Sequence, residues 1–320
     1  MKTVPPETRP TTGSFIDPQA LMAIKNLEFR ARVVVQGFWT GLHRSPYHGF
    51  SVEFTEYRPY TPGDDPRYLD WRLYARSDRY YLKKFEDETN LRCHLLVDNS
   101  RSMGYGSLSY TKAQYANTLA GTLAYFLYLQ GDAVGVLTFA EQIRDYLPAR
   151  HRPGHLRHLM LALEQPASGT STDLEAPLRR ISELVKKRGL MVLISDLLTP
   201  IDNLSHHLAA LHAYGHEVLL FQVLDPAELQ FDFEQSGMYY DVESGRNLYV
   251  EPKLIRKSYL KKLEAHLDAI HGLCQELGTG YHRISTQQPL ELALFDFLRA
   301  RRQRRQPVRR SRIAGARRSL

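Results

Sequence analysis

Residues 95–104 read LLVDNSRSMG, an apolar run that stops on Asp98 and is followed by Ser100 and Ser102. Two readings of this ending are open. Asp and Ser after a strand commonly make a turn or a helix N-cap. An acid with hydroxyls at alternating positions is also part of an oxygen-donor set for a hard cation. The choice between them depends on what the rest of the chain brings to the same place.

Outward from this stretch, short apolar segments alternate with helical ones. YYLKKFE and LRCHLLVD read as strands, and a helix from about Tyr110 to Gln130 closes on Gly131. AVGVLTFA is a nearly continuous apolar strand, His155–Leu163 a helix, and about Asp173 to Arg188 another. LMVLISD and HEVLLFQVL are strands separated by a helix over Asn203–Tyr214. MYYDVESGRNLYVEP has the form of a hairpin, with Ser244-Gly245 near its tip. Leu260, Leu263, Leu267, Ile270, Cys274 and Leu277 recur at steps of three and four, which predicts a helix over Lys253–Leu277. GYHRIST is a last strand and Leu290–Arg299 a last helix. Strands rich in Val, Ile and Leu alternating with helices predict an α/β fold, a doubly wound, mostly parallel sheet covered on both faces.

Upstream, residues 1–15 are rich in Pro and Thr and are expected to be disordered. A helix is expected from about Pro18 to Ala31. Val33–Asp78 is dense in Gly, Tyr, Arg and Pro, and reads as irregular loops and short strands, with SVEFTEY alternating like a half-buried strand. The divisions are therefore 1–15, an N-terminal region over 16–90, the main domain over 91–298, and a tail over 299–320.

The 320-residue chain has a formal net charge of +7, but residues 299–320 hold ten arginines and no acid, which leaves −3 for the rest. The basic character belongs to the tail. Dense arginine attracts nucleic acid or anionic lipid without sequence preference; the alternative is a solvated tail. Cys93 and Cys274 lie in apolar segments and read as core residues in a reducing compartment. The start of the chain has no apolar signal segment, and no apolar run approaches the ~20 residues of a transmembrane helix. A cytoplasmic location is expected.

In an open parallel sheet, ligands bind beyond the carboxyl ends of the strands. Asp98 ends LLVD, and Asp196 ends VLISD. Between them in sequence, SGTSTDL offers Thr170, Ser171 and Thr172 ahead of a helix. Two carboxylates and several hydroxyls can thus meet at one edge. Hard divalent cations take such oxygen ligands, and Mg²⁺ keeps several waters. The set needs no His or Cys, which argues against zinc. His151, His155, His158, His206, His207, His212 and His216 have no Cys or Glu at ligand spacing and read as surface or helix-end residues.

The motifs VDNSRSMG, GTSTDL and LISD resemble the von Willebrand factor A domain and its metal-ion-dependent adhesion site. The resemblance covers roughly Leu91 to Leu298. It implies a metal held by Asp98, Ser100, Ser102, Thr172 and Asp196, with Mg²⁺ (or Mn²⁺ or Ca²⁺) as the ion. Thr172 is taken over Thr170 because TDLEAPL is closer to the family's helix start. The stretch GLHRSPYHGFSVEFTEYRPYTPGDDPRYLDWRLYARSD further resembles a bacterial family filed as domain of unknown function fifty-eight. Many of its members carry two membrane helices before this region, which this chain starts without, so attachment by that route is not expected. Members often accompany a MoxR-type AAA+ ATPase. The resemblance implies an adaptor whose metal captures a Glu or Asp from that ATPase or from its client.

Within the N-terminal stretch, Arg58, Tyr60, Asp64, Asp65, Arg67, Asp70, Trp71 and Arg76 fit either a partner surface or a network locking an irregular segment onto the sheet. The competing functional reading is an enzyme, a Mg²⁺-dependent phosphoryl hydrolase at the same sheet edge. Against it, no Lys is placed as a clear charge partner, and Ser100 stands where a second Asp would be needed. A third reading is a polyanion-binding protein acting through residues 299–320.

Overall fold

The computed structural model describes residues 15–44, 56–59, 74, 80–84, 91–166, 175–233, 236–240 and 247–305. Its centre is β3 (Arg92–Asp98), flanked on one side by β4 (Ala133–Phe139) and β5 (Ile143–Arg150). On the other side lie β6 (Leu190–Ser195), β7 (Glu217–Leu224) and β10 (Gly280–Ser285). The order across the sheet is β10-β7-β6-β3-β4-β5, parallel throughout except for the antiparallel edge strand β5. Two antiparallel pairs stand apart from this sheet. One joins β1 (Glu56–Pro59) to β2 (Tyr81–Lys84), and the other joins β8 (Gly237–Tyr240) to β9 (Asn247–Val250).

Side chains alternate along a strand, so each central strand feeds two cores. Cys93, Leu95, Val97, Val192, Ile194 and Phe221 face one layer. That layer contains α1 (Pro18–Met22), α2 (Leu27–Arg44), α3 (Lys112–Leu129), α4 (His155–Leu163) and α9 (Leu290–Arg305). Leu96, Met191, Leu193, Val218 and Leu220 face the opposite layer, built by α5 (Glu175–Leu184), α6 (Ile201–Ala213) and α8 (Pro252–Leu277). The expected doubly wound α/β architecture, with helices on both faces, is the one formed. Cys93 and Cys274 are free thiols in these cores.

Several local expectations need correction. The helix expected over Pro18–Ala31 is two helices, and the second runs on to Arg44 through part of the stretch expected to be loops. Leu27, Ala31, Val34, Val35 and Phe38 recur at helical spacing and are all buried. Phe38 meets Phe126 of α3 edge-on at 6.1 Å. The strand β5 is additional to those expected, and its Pro148 cannot donate to a sheet ladder. It is tolerated here because β5 is an edge strand with a register shift against β4. Gly135 of β4 faces that irregularity, where a Cβ would lie 2.6 Å from the Ala149 amide nitrogen. The last helix continues to Arg305, past Arg299, and Arg301 donates to Asp132 Oδ2 at 3.2 Å. Of the histidines expected at the surface or at helix ends, His207 and His216 are buried, and His155, at the start of α4, is buried too, with its Nε2 2.8 Å from the Val134 carbonyl oxygen.

Candidate metal centre

The chain leaves β3 on one side toward β4 and reaches β6 on the other only after β5, α4 and α5. The carboxyl ends of β3 and β6 therefore flank the point where strand order reverses, the place at which such sheets open a crevice. Asp98 is the last residue of β3, and Asp196 immediately follows β6. Both are fully buried.

Each Asp98 oxygen is engaged. The Ser100 amide donates to Oδ1 at 2.8 Å, and Ser195 Oγ donates to Oδ2 at 2.6 Å. Ser195 can do this because residues 96, 98, 193 and 195 point to the same side of adjacent parallel strands. The Ser100 and Ser102 hydroxyls lie 3.2 Å apart. Burial first, and then the nearby charge of Asp196, raise the Asp98 carboxyl to about 6, against the hydrogen bonds from Ser195 and Ser100.

Asp196 is held by a residue absent from the sequence-based site. Lys112 Nζ donates to Asp196 Oδ2 at 2.9 Å and to Glu228 Oε1 at 2.6 Å, and the Lys112 side chain is fully buried. This corrects the expectation that no Lys serves as a charge partner at this edge. Lys112 is the first residue of α3. Thr111 caps that helix in a reciprocal pair with Gln114, and the Lys112 amide donates to the Tyr105 carbonyl at 2.8 Å. Helical side chains lean toward the N-terminus, which carries the ammonium back to the sheet edge. Burial pulls the Lys112 ammonium down, but Asp196 and Glu228 outweigh it and hold the group protonated. Burial raises the Glu228 carboxyl, and Lys112 offsets this. Glu228 belongs to a short helix, α7 (Pro226–Gln230), where its Oε2 accepts the Asp225 amide at 2.9 Å.

After Asp196 the backbone turns sharply. Leu197 is buried at a φ of 54°, a left-handed conformation unusual for a bulky residue. The Leu197 amide donates to Ser195 Oγ at 3.0 Å, the Leu198 amide to Asp196 Oδ1 at 3.3 Å, and His266 Nε2 lies 2.9 Å from the Leu197 carbonyl oxygen. Gln222 Nε2 donates to the Asp196 carbonyl at 2.8 Å. Strained backbone of this kind gathers at functional sites, and nothing in the ISDLL sequence marks it.

The donor set fits a hard divalent cation. Asp98, Asp196 and Glu228 place three acids at this edge against one ammonium, and the charge of Asp196 makes Asp98 costlier to ionise. The side-chain amide of Asn99, buried next to Asp98 in the chain, has no hydrogen-bond partner among the described residues. Asp98, Ser100, Ser102 and Asp196 are the described residues that would hold such an ion. The described residues contain no group of three or more His, Cys, Asp or Glu arranged to hold a metal. The set is thus two carboxylates and hydroxyls, not an acidic cage. Thr172 and its alternative Thr170 lie outside the described residues, as do Tyr60, Asp64, Asp65, Arg67, Asp70, Trp71 and Arg76. Arg58 is described by its backbone alone, in β1 opposite Leu82.

The chain belongs to the family described as Protein of unknown function DUF58, whose profile matches residues 56–269. A curated relative, Uncharacterized protein Rv1480 of Mycobacterium tuberculosis, is 30% identical over 260 residues, spanning 79% of this chain and 81% of that protein. Solved structures similar to the chain include an aerotolerance-related membrane protein from Bacteroides fragilis, at 15% identity and TM-score 0.47, covering 67% of this chain and 99% of that one. The SpRpn10 VWA domain is also similar, at 13% identity and TM-score 0.37, covering 64% and 94%. Among the described residues, no helix is long and apolar enough to cross a membrane.

Proposed function

We propose that the chain is a divalent-cation-dependent adaptor, binding a partner protein through the crevice between β3 and β6. The observation that carries this reading is the convergence of Asp98 and Asp196, fully buried, at the switch point of the sheet beside the paired Ser100 and Ser102 hydroxyls. With Thr172 they form the oxygen-donor set for Mg²⁺, or for Mn²⁺ or Ca²⁺. A bound ion would supply a positive charge with room for one carboxylate from outside. Ser195 and the Ser100 amide fix the Asp98 carboxylate, and the Leu198 amide fixes that of Asp196. Neutral hydroxyls leave the site's positive character largely unquenched, which suits gripping an acid. The partner is a Glu- or Asp-bearing protein, a MoxR-type AAA+ ATPase or a client of it, and the working compartment is the cytoplasm.

The test is capture of the purified ATPase by the full chain, with Mg²⁺ and with EDTA, beside Asp98→Ala and the shape-preserving Asp98→Asn. Capture that needs Mg²⁺ and is lost in both variants supports the reading. Equal capture in EDTA overturns it.

Lys112 also gives the phosphoryl-hydrolase reading a buried charged group that the sequence did not reveal. Ser100 still occupies the position where that chemistry needs a second acid. Mg²⁺-dependent turnover of a general phosphomonoester, lost in Asp98→Asn, would favour the enzyme over the adaptor.

A further inference from the structure

Lys112 touches no metal-binding motif in the sequence, yet its ammonium is bonded to one of the two acids of the candidate centre. It has no access to solvent, so its charge has nowhere to go except between its two acidic partners. Those partners are not equivalent. Asp196 belongs to the donor set. Glu228 lies on α7 and is braced from behind: its second oxygen accepts the Asp225 amide at 2.9 Å. Asp225 is itself fixed by the Ser107 amide at 2.9 Å, the Ser107 hydroxyl at 2.5 Å and the Ala227 amide at 2.9 Å. Glu228 is therefore a rigid anchor for a cation.

We propose that Lys112 is an internal counter-cation that competes with the divalent ion for Asp196 and retreats to Glu228 when that ion binds, thereby setting the cation affinity of the site. The inference rests on the reading of this crevice as a divalent-cation site. Two cations sharing one carboxylate in a buried setting repel strongly, because the low local dielectric screens them little. A lysine can answer that repulsion without backbone movement, since its four-carbon stem is flexible and its charge is a point with three rotatable donors. Until an ion binds, the ammonium partly neutralises Asp196 and spares the fold an unpaired buried charge. With the ion present, Glu228 takes the ammonium alone. The site is thereby tuned to fill at higher cation concentration than its carboxylates alone would set.

The experiment is calorimetric titration of Mg²⁺ into the full chain, comparing wild type, Lys112→Met and Glu228→Gln, with thermal unfolding followed with and without Mg²⁺. Removing the competing charge in Lys112→Met tightens Mg²⁺ binding, on the order of tenfold or more. Removing the retreat in Glu228→Gln ties the ammonium to Asp196 and weakens binding by a similar factor. A merely structural role for Lys112 would lower stability in both variants without splitting their affinities in opposite directions. If Lys112→Met does not fold, Glu228→Gln decides, and unchanged or tighter binding there overturns the inference. If wild type binds Mg²⁺ and both variants match it or shift the same way, the inference falls while the cation site stands. Binding by Lys112→Met with none by wild type is the same competition at its limit. If neither wild type nor Lys112→Met binds, the cation site itself is refuted, and the inference with it.

Discussion

Lys112 Nζ stands 2.9 Å from Asp196 Oδ2 with neither side chain exposed to solvent. The pair joins the start of α3 to the end of β6 at the crevice where the sheet reverses its strand order. A buried ion pair is not by itself a large source of stability, but breaking one side of it is costly.

Lys112→Met is therefore expected to destabilise the fold by about 3–5 kcal/mol in EDTA, because Asp196 and Glu228 lose their buried counter-charge. Urea unfolding measures this, with Lys253→Met as a control. Lys253 is exposed, and its replacement should change stability by no more than about 0.5 kcal/mol. Equal effects from the two variants would contradict the assignment.

Thr111→Ala is expected to cost about 1 kcal/mol. Thr111 Oγ1 accepts the Gln114 amide at 3.2 Å, and its own amide donates to Gln114 Oε1 at 3.0 Å. The loss should be read by chemical denaturation beside Thr111→Ser, which keeps the hydroxyl and should recover most of it. No difference between the two would show that the cap does not position α3.

His94 gives the fold a pH dependence of its own. It is buried in β3, and burial, reinforced by the charges of His216 and Arg92, pushes its imidazole down to about 4. In the unfolded chain it takes up a proton near ~6.5. Between those values the unfolded state binds a proton that the folded state refuses, so this residue's contribution to stability falls as pH is lowered through the window. The full effect is about 3 kcal/mol. Unfolding curves for wild type and His94→Gln across that range should show wild type losing stability relative to the variant on acidification. A difference that does not vary with pH would contradict the burial of a neutral imidazole.

What was legible in the sequence followed from local pattern. The apolar runs ending on Asp98 and Asp196 identify strand ends, and the alternation of strand and helix brings those ends to one edge. The extension of α2 was hidden by Gly37, Gly41 and neighbouring aromatics, although Leu27, Ala31, Val34, Val35 and Phe38 keep helical spacing. The strand β5 was obscured by Pro148, which only an edge position tolerates. Lys112 could not be read at all. It lies 84 residues from Asp196 and 116 from Glu228, and its role arises only when three elements meet. The left-handed backbone at Leu197, whose carbonyl oxygen lies 2.9 Å from His266 Nε2, likewise has no residue type to announce it.

The central claim is that Asp98 and Asp196 hold a divalent cation together. Direct titration of Mg²⁺ into the metal-free full chain, beside Asp98→Asn with its fold checked by circular dichroism, tests it most directly. The account predicts saturable one-site binding by wild type and its loss in the folded variant. Equal binding by both, or none by wild type even after Lys112 is replaced by Met, would contradict it.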